Sequence, residues 1–346
     1  MTTSSVPVPA SDPEPPLALT ARSPEDLIAL VPVVMGFHPE DSVVMLTFGA
    51  QRSFHARVDL PPPTDDVARR RAELDELASA LVAPAARAGV VAVVLVLYSD
   101  DPGRAGAAWR RLRRAFGDAG IRVVDALRVA EGRYHPYLAR DRALRDRGIP
   151  FDVSAHPFLA EAVLDGRVVH GSRAEVVAAA EPDPVATERV AAEVDSALRG
   201  GGVPSRVPEL LAAGTWVRAL VERHVAAGTV PTDAEVARLL WTMQAVRVRD
   251  AAWELVRRRT ARPHVDFWLG VVRRAPADLV AAPAALLGWA AWMAGDGALA
   301  WTGVDRSREA DPAYGLAGLL AHALEHAFPP ETGELDFDWA AGLRGR

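Results

Sequence analysis

Four residues with the side chains of a serine hydrolase lie near the start of the chain: His38, Asp41, Ser42 and His55. A serine hydroxyl becomes a nucleophile when a histidine takes its proton and a carboxylate orients that histidine. However, no Gly-x-Ser-x-Gly motif surrounds Ser42, and no glycine flanks it to build an oxyanion hole. The residue types permit hydrolysis, whereas the surrounding sequence favours Ser42 as a turn residue or the first residue of a strand.

The turn before Ser42 has a second interpretation as a binding loop. Gly36 and Pro39 fix the backbone shape, while His38 and Asp41 present polar groups beside a predicted sheet. The alternative is a structural turn that joins a helix to a strand, with Phe37 buried in the core. The sequence favours the structural turn.

Tyr98 ends the apolar run 90–98, which has the character of a strand covered on both faces, and Asp100 follows it. Open α/β sheets bind ligands at the carboxyl ends of such strands, so both residues are ligand-binding candidates. The competing explanation is that Asp100 or Asp101 caps the next helix. Capping alone accounts for these residues and is favoured.

Arg133, Tyr134, His135 and Tyr137 follow the end of another predicted strand. A guanidinium beside two aromatic rings could hold a phosphate, a carboxylate or a base. The same residues could equally form the polar edge of a packed hairpin, and the sequence leaves both possibilities open.

The pattern His322-x-x-Glu325-His326 matches the order of metal ligands in inverted zincins, with both histidines on one helical face. A catalytic zinc needs a third protein ligand, and only the short tail with Glu331 and Glu334 follows. The five-residue pattern also arises by chance, so we expect neither a metal nor another cofactor.

Composition excludes several kinds of chemistry. All 39 basic residues are arginine and there is no cysteine, which removes lysine Schiff bases, P-loop lysines, thiol nucleophiles, disulfides and cysteine-based metal sites. The formal net charge of −6 argues against a whole-protein grip on nucleic acid. Three arginine groups lie on predicted helices with acids nearby, and we interpret them as solvated faces: residues 69–71, 110–114 and 257–259.

The first half of the chain has the pattern of an α/β domain. Helices are predicted over 24–31, 67–88 and 101–119, and strands over 42–48, 53–60, 90–98 and 122–129. The first two strands form a hairpin, and the order strand, helix, strand after residue 90 implies a parallel βαβ crossover. The sequence therefore predicts a mixed sheet over residues 19–180.

The second half has helical periodicity throughout. A helix and a Gly/Pro linker occupy 181–207, an all-helical module follows over 208–330, and 331–346 form a tail. Gly288, Ala300, Val304 and Ser307 have the offsets of one tetratricopeptide-like (TPR-like) helical hairpin, without a second copy of the repeat. Such a module suggests a protein partner.

Neither end of the chain nor its apolar stretch indicates a membrane protein. Residues 1–18 are rich in Pro, Ser and Thr and predict a disordered tail that is not a signal peptide. Residues 279–295 carry no charge but are mostly Ala and Gly, which favours a buried helix over a membrane span. We expect a cytoplasmic protein.

The chain resembles the actinobacterial DUF4192 family, whose members have no assigned function. The resemblance extends from about residue 19 to 330 and is most specific over 36–44. It implies membership and no particular activity. The residues that carry it are 23–27, 36–44, 57–61, 94–98, 125–129, 132–134, 137, 249–253, 295–298 and 311–312.

The sequence thus leaves three hypotheses. The leading one is a binding protein without catalysis, with a ligand or partner on the α/β domain and protein contacts through the helical module. The second is a hydrolase or other enzyme acting on an anionic small molecule, and the third is a nucleic-acid-associated factor. An active site would require four residues to converge on one pocket: His38, Asp59, Tyr98 and Arg133.

Overall fold

A computed structural model describes residues 21–49, 54–164, 168–198, 202–334 and 336–343. Its first half contains one six-stranded sheet with helices on both faces. The strands are β1 Ser42–Phe48, β2 His55–Asp59, β3 Ala92–Tyr98, β4 Arg122–Ala130, β5 Arg133–Pro136 and β6 Ile149–Pro150. The helices are α1 Pro24–Met35, α2 Val67–Arg87, α3 Pro102–Asp118, α4 Arg142–Arg147, α5 Pro157–Leu164 and α6 Arg173–Ala179.

The sheet has the order β2-β1-β3-β4-β5-β6, in which only β3 and β4 run parallel. The chain passes from β3 to β4 through α3, and β1 pairs with β2 as an antiparallel hairpin. The register places Ser42 opposite both Asp59 and Tyr98. The predicted mixed sheet, its hairpin and its crossover are confirmed.

Helix α1 begins and ends at residues that its sequence selects. The Ser23 hydroxyl accepts the Asp26 backbone N–H at 3.1 Å, and the Asp26 carboxylate accepts the Ser23 N–H, which forms a capping box. At the other end Gly36 adopts a φ of +78°, a conformation that favours glycine. The helix therefore ends at Met35, and Gly36 turns the chain toward Phe37.

Two apolar layers cover the sheet. Helices α2 and α3 pack on one face against residues such as Met45 and Leu95, and α1 packs on the other face against residues such as Val44 and Val96. Because successive strand residues point to opposite faces, Val43, Met45, Leu95 and Leu97 belong to the first layer, and their neighbours belong to the second.

The second half is helical wherever the structure describes regular elements. Its helices are α7 Pro184–Leu198, α8 Val207–Ala227, α9 Asp233–Thr242, α10 Val246–Trp253, α11 Ala261–Val272, α12 Ala281–Met293, α13 Gly297–Ala310 and α14 Gly315–Glu325. Their shared apolar core also takes Val176 and Ala180 from α6 and the residue that follows it. The predicted division between the halves near residue 180 therefore stays a prediction.

Helices α12 and α13 approach closely at two glycines. A Cβ atom on Gly303 would lie 2.5 Å from the backbone nitrogen of Gly288, so both positions must stay without a side chain. The Ser307 hydroxyl also donates to the Ala281 carbonyl at 2.8 Å. The predicted buried helix is confirmed, since every residue of 282–293 is buried, while its likeness to a tetratricopeptide hairpin stays a prediction.

Some predictions fall outside the described residues. The proposed disordered tail lies within 1–20, and most of the glycine linker lies within 199–201. Across the described part of the chain, no helix is both long enough and apolar enough to span a bilayer.

Candidate functional site

The Gly36–Ser42 turn lies where the α/β half meets the helical half. The Gly36 carbonyl accepts the His170 N–H at 2.8 Å, and the His38 N–H donates to the His170 carbonyl at 3.1 Å. Phe37 is 3% exposed, and its ring belongs to the apolar core of the helices. The predicted structural turn thus buries its phenylalanine in the helical half rather than in the core of the sheet.

The same turn contacts the beginning of α13. A Cβ atom on Gly36 would lie 3.7 Å from Oδ1 of Asp296, which caps α13 by accepting the Leu299 N–H at 2.9 Å. Burial raises the pKa of Asp296, while nearby His170 and Arg262 act in the opposite direction. An acidic group is therefore held at the seam between the halves.

Arg104 anchors the edge of the sheet next to this turn. Its guanidinium donates to the Leu60 carbonyl at 2.8 Å and to the Pro61 carbonyl at 2.7 Å, and it forms an ion pair with Asp41 at 2.7 Å. Asp41 itself has a φ of +39°, which is uncommon for a residue other than glycine. The donors of Arg104 are thus used to fix the backbone after β2 and the turn before β1.

Ser42 lies between Asp59 and Tyr98 on the α1 face of the sheet. Its hydroxyl is fully buried and has no hydrogen-bond partner. Burial also raises the pKa of Tyr98, so its phenol stays neutral at physiological pH. His55 pairs with Leu46, four residues along β1 from Ser42, which corresponds to roughly 13 Å.

The serine hydrolase arrangement is therefore not assembled around Ser42. His55 is too far along the strand to take the serine proton, and burial lowers its pKa to about 4. His38 is exposed, and its backbone pairs with His170 at the seam. Asp41 contacts Arg104 rather than a histidine.

The two aspartates after β3 differ in their roles. Asp101 caps α3, because its carboxylate accepts the N–H groups of Gly103 at 2.8 Å and Arg104 at 3.1 Å. These backbone bonds lower the pKa of Asp101. Asp100 is exposed beside it and makes no cap. Capping thus accounts for Asp101 and not for Asp100.

The residues around β5 separate onto the two faces of the sheet. Tyr134 packs in the α1 layer, whereas Tyr137 stacks on Trp109 of α3 with ring centroids 5.4 Å apart. Arg133 precedes Tyr134 and donates to the carbonyls of Arg147 at 2.9 Å and Gly148 at 3.0 Å. Since strand side chains alternate, Arg133 points away from the face that carries Tyr98.

The arginine groups and the histidine pair have local partners. Arg69 forms an ion pair with Glu73, and Arg111 forms one with Asp75. His322 and His326 lie with ring centroids 4.0 Å apart on α14, next to Phe328. Within the described ranges, no group of three His, Asp or Glu side chains could hold a metal ion.

An open cavity lies in the helical half between α8, the end of α10 and the segment 336–343, which we call the C-terminal segment. The cavity has a volume of about 690 Å³. It is lined by Thr215, Arg218, Ala219, Glu222, Glu254, Asp336, Phe337, Asp338 and Trp339. Neither this cavity nor a smaller one of about 110 Å³ beside Tyr314 contains any of the residues that an active site in the α/β half would require.

The C-terminal segment is held against the helices by one aromatic anchor. Trp339 is 3% exposed and lies over Gly214, where a Cβ atom would be 2.2 Å from its ring. Its backbone N–H donates to Glu254 at 3.0 Å. The Phe337 ring lies 5.1 Å from the ring of Trp253. We call the surface of α8 and α10 that receives this segment the α8–α10 groove.

Sequence reasoning did not identify Gly214, Trp339 or the carboxylates of the groove. The available signal was the alternation Asp336-Phe337-Asp338-Trp339, which places two aromatic rings among four residues. Gly214 lies within a helical pattern, and nothing in that pattern indicates a tryptophan beside it.

Comparisons with known proteins identify a family for this chain. No curated protein and no solved structure matches the chain significantly. One family model, described as a domain of unknown function, matches residues 24–331, which includes both halves and their seam. The chain belongs to the DUF4192 family.

Proposed function

We propose that this chain is a cytoplasmic binding protein that holds a segment of a protein partner in the α8–α10 groove, with the α/β half as its scaffold. The observation that carries the proposal is the seating of Trp339 and its neighbours in that groove. A chain segment that places a buried aromatic anchor in a groove is a common form of peptide recognition. The groove therefore already has the features that such recognition needs.

The use of charged side chains in the two halves supports this choice. In the α/β half, Arg104 and Arg133 donate to backbone carbonyls, which leaves few of their donors for a ligand. In the groove, Arg218 contacts the side chains of Glu222 at 3.5 Å and Glu254 at 3.1 Å beside open space. Side-chain partners can rearrange when a ligand arrives more easily than backbone carbonyls can.

Site-specific photo-crosslinking in the cells that naturally make this protein tests the proposal. A photoreactive residue in place of the exposed Thr215 lies in the groove, and one in place of Asp59 lies at the edge of the sheet. We expect a defined protein adduct from position 215 and none from position 59. The adduct should disappear when Gly214→Leu fills the surface on which the anchor lies.

A small-ligand site on the α/β half is the second candidate, because the buried Ser42 hydroxyl has no partner next to Tyr98. A buried hydroxyl without a partner calls for an explanation, and a bound molecule is one that would supply it. A small-molecule adduct from position 59, with no protein adduct from position 215, would favour this candidate and contradict the groove as the binding surface.

A further inference from the structure

A positively charged side chain is buried on the α3 face of the sheet without a carboxylate to pair with it. Arg128 of β4 is 8% exposed, and its Nη1 donates to the Ser99 carbonyl at 3.1 Å. Within the described ranges, no Asp or Glu side chain forms an ion pair with this guanidinium. A buried charge is costly unless an opposite charge or several hydrogen bonds compensate it. One backbone carbonyl leaves much of that cost uncompensated.

The groups around Arg128 have other partners. The carboxylate of Asp101 accepts backbone N–H groups of α3, which lower its pKa most, and Arg128 lowers it further without forming an ion pair. His135 lies opposite Arg128 in the sheet, and its Nδ1 is 2.9 Å from the Arg145 carbonyl. Neither group therefore supplies the negative charge that the guanidinium lacks.

A second polar group without a partner lies on the same face. The Tyr137 hydroxyl is buried and has no hydrogen-bond partner, and its ring stacks on Trp109 of α3. Burial raises the pKa of Tyr137 to about 12, while Arg128 and Arg110 act in the opposite direction, so both guanidiniums lie near this phenol. A Cβ atom on Gly106, one turn before Arg110, would lie 3.4 Å from the Arg110 Nη1. A neutral O–H donor thus lies close to two positive charges.

Arg128 and Ser99 lie toward the carboxyl ends of the two parallel strands, β3 and β4, where open α/β sheets bind ligands. We infer that the α3 face of the sheet binds the phosphate group of a small molecule through the guanidiniums of Arg128 and Arg110 and the hydroxyl of Tyr137. A phosphate monoester carries a charge of about −1.5 to −2 at neutral pH, which matches two guanidiniums better than a single carboxylate does.

This site is separate from the surfaces discussed above, and it goes beyond the proposed function. Alternation of side chains places Arg128 with Ala126 and Leu97 in the layer of α2 and α3, whereas Ser42 and Tyr98 lie on the α1 face. The α8–α10 groove is in the other half of the chain. Binding of phosphate and binding of a protein partner can therefore be tested independently.

Isothermal titration calorimetry of the full-length chain tests the inference, with inorganic phosphate as the probe and acetate as the carboxylate for comparison. Arg128→Gln is compared with Arg122→Gln, because Arg122 is an exposed residue at the opposite end of the same strand and its substitution removes the same charge. We expect phosphate to bind the wild-type chain about tenfold more tightly than acetate. Arg128→Gln should weaken phosphate binding by about tenfold or more, and Arg122→Gln by less than about twofold.

The exposed guanidinium should contribute less than the buried one. Arg110→Gln should weaken phosphate binding by about threefold, because water and salt screen its charge. Arg114→Gln is the matched control, since Arg114 is exposed one turn farther along α3, away from the carboxyl ends of the strands. It should leave the affinity for phosphate unchanged. Equal weakening by both variants would remove Arg110 from the site.

Tyr137→Phe separates ligand binding from a structural role. The substitution removes the hydroxyl and keeps the ring that stacks on Trp109. Since this hydroxyl has no protein partner, its loss should not lower the melting temperature measured without phosphate, while phosphate should bind about threefold more weakly. A lower melting temperature with an unchanged affinity for phosphate would assign the hydroxyl to the fold and contradict its role in binding.

The remaining outcomes overturn the inference in distinct ways. If the wild-type chain does not bind phosphate, there is no such site. If Arg128→Gln and Arg122→Gln weaken binding equally, phosphate is attracted by overall charge and not by Arg128. If acetate binds more tightly than phosphate, the ligand class is wrong. A protein adduct from position 215 together with any of these results would refute this inference and leave the proposed function intact.

Discussion

The edge of the sheet and the α8–α10 groove each contain an arginine beside carboxylates, but the two arginines have different partners. Arg104 donates to two backbone carbonyls as well as to Asp41, and its side chain is 18% exposed. Arg218 contacts Glu222 and Glu254 beside a cavity. The partner of a charged group, rather than its residue type, thus distinguishes a structural contact at the sheet from the surface that we propose as a binding site.

The largest effect should follow from loss of the ring that joins the two halves. We expect Phe37→Ala to lower the free energy of unfolding by about 3–4 kcal/mol, because it leaves a cavity in the helical core. Phe48→Ala is the matched control, since Phe48 is 40% exposed at the end of β1. Urea denaturation followed by circular dichroism measures both. Equal losses would mean that the turn does not couple the halves.

Substitution of either arginine should lower the free energy of unfolding by less than Phe37→Ala does, and the two substitutions should differ from each other. Arg104→Met leaves the carbonyls of Leu60 and Pro61 without this donor, and we expect a loss of about 2 kcal/mol. Arg218→Met should change the free energy of unfolding by less than about 0.5 kcal/mol, as is usual near the surface. Thermal melts measure both variants. A larger loss of stability in Arg218→Met than in Arg104→Met would contradict the different roles of the two arginines.

A side chain under the anchor should release the C-terminal segment at little cost to the fold. Gly214→Ala should raise the exchange rate of the amides in 336–343 while reducing stability by about 1 kcal/mol, because Trp339 must move away. Gly270→Ala is the control, since a Cβ atom there meets nothing within 4 Å and alanine favours helix. If the amides of 336–343 exchange at the wild-type rate in Gly214→Ala, Trp339 is not held against Gly214.

The smallest effect concerns Asp296 at the seam. Burial raises its folded pKa above the unfolded value of 3.8, so its contribution to stability should fall as the pH rises from 3.8 through the folded pKa. Asp296→Asn keeps an oxygen for the Leu299 N–H and should raise stability at neutral pH by about 0.5 kcal/mol.

The contribution of Asp101 to stability should change with pH in the opposite direction to that of Asp296. Its pKa is lowered by the backbone N–H groups that it accepts, so its stabilisation is present above the unfolded value of 3.8 and is lost as the pH falls through the lower folded pKa. Asp101→Asn should therefore reduce stability at neutral pH, where Asp296→Asn increases it. Chemical denaturation at several pH values between 3 and 7 distinguishes the two, and slopes of the same sign would contradict one of the two assignments.

Much of the fold was predictable because its signals are local. The apolar run before Tyr98 identified a central strand, and the capping box at Ser23 and Asp26 identified the start of α1. The strand that begins at Ser42 was predicted with the bounds that the structure has. The short strand β5 was anticipated only as the packed hairpin that the sequence left open around Arg133 and Tyr134, because its four residues pair only with neighbours supplied by the sheet.

The candidate site was less predictable. Chain proximity suggested that Arg133, Tyr134 and Tyr137 act together, but the alternation of side chains sends the two tyrosines to opposite faces. In contrast, Gly214 and Trp339 lie together although they are far apart in sequence. A pattern read along the chain contains no information about such a contact.

The sequence by itself determined the mixed sheet, the helical second half and membership of the family, since propensity, periodicity and caps act over a few residues. Only the tertiary structure decided that Phe37 enters the helical core, that Arg104 fixes the backbone around β1 and β2, and that Trp339 covers Gly214. These contacts depend on which surfaces meet when the halves pack. The free energy that favours these contacts comes from many residues that are far apart in sequence, so no local motif predicts them.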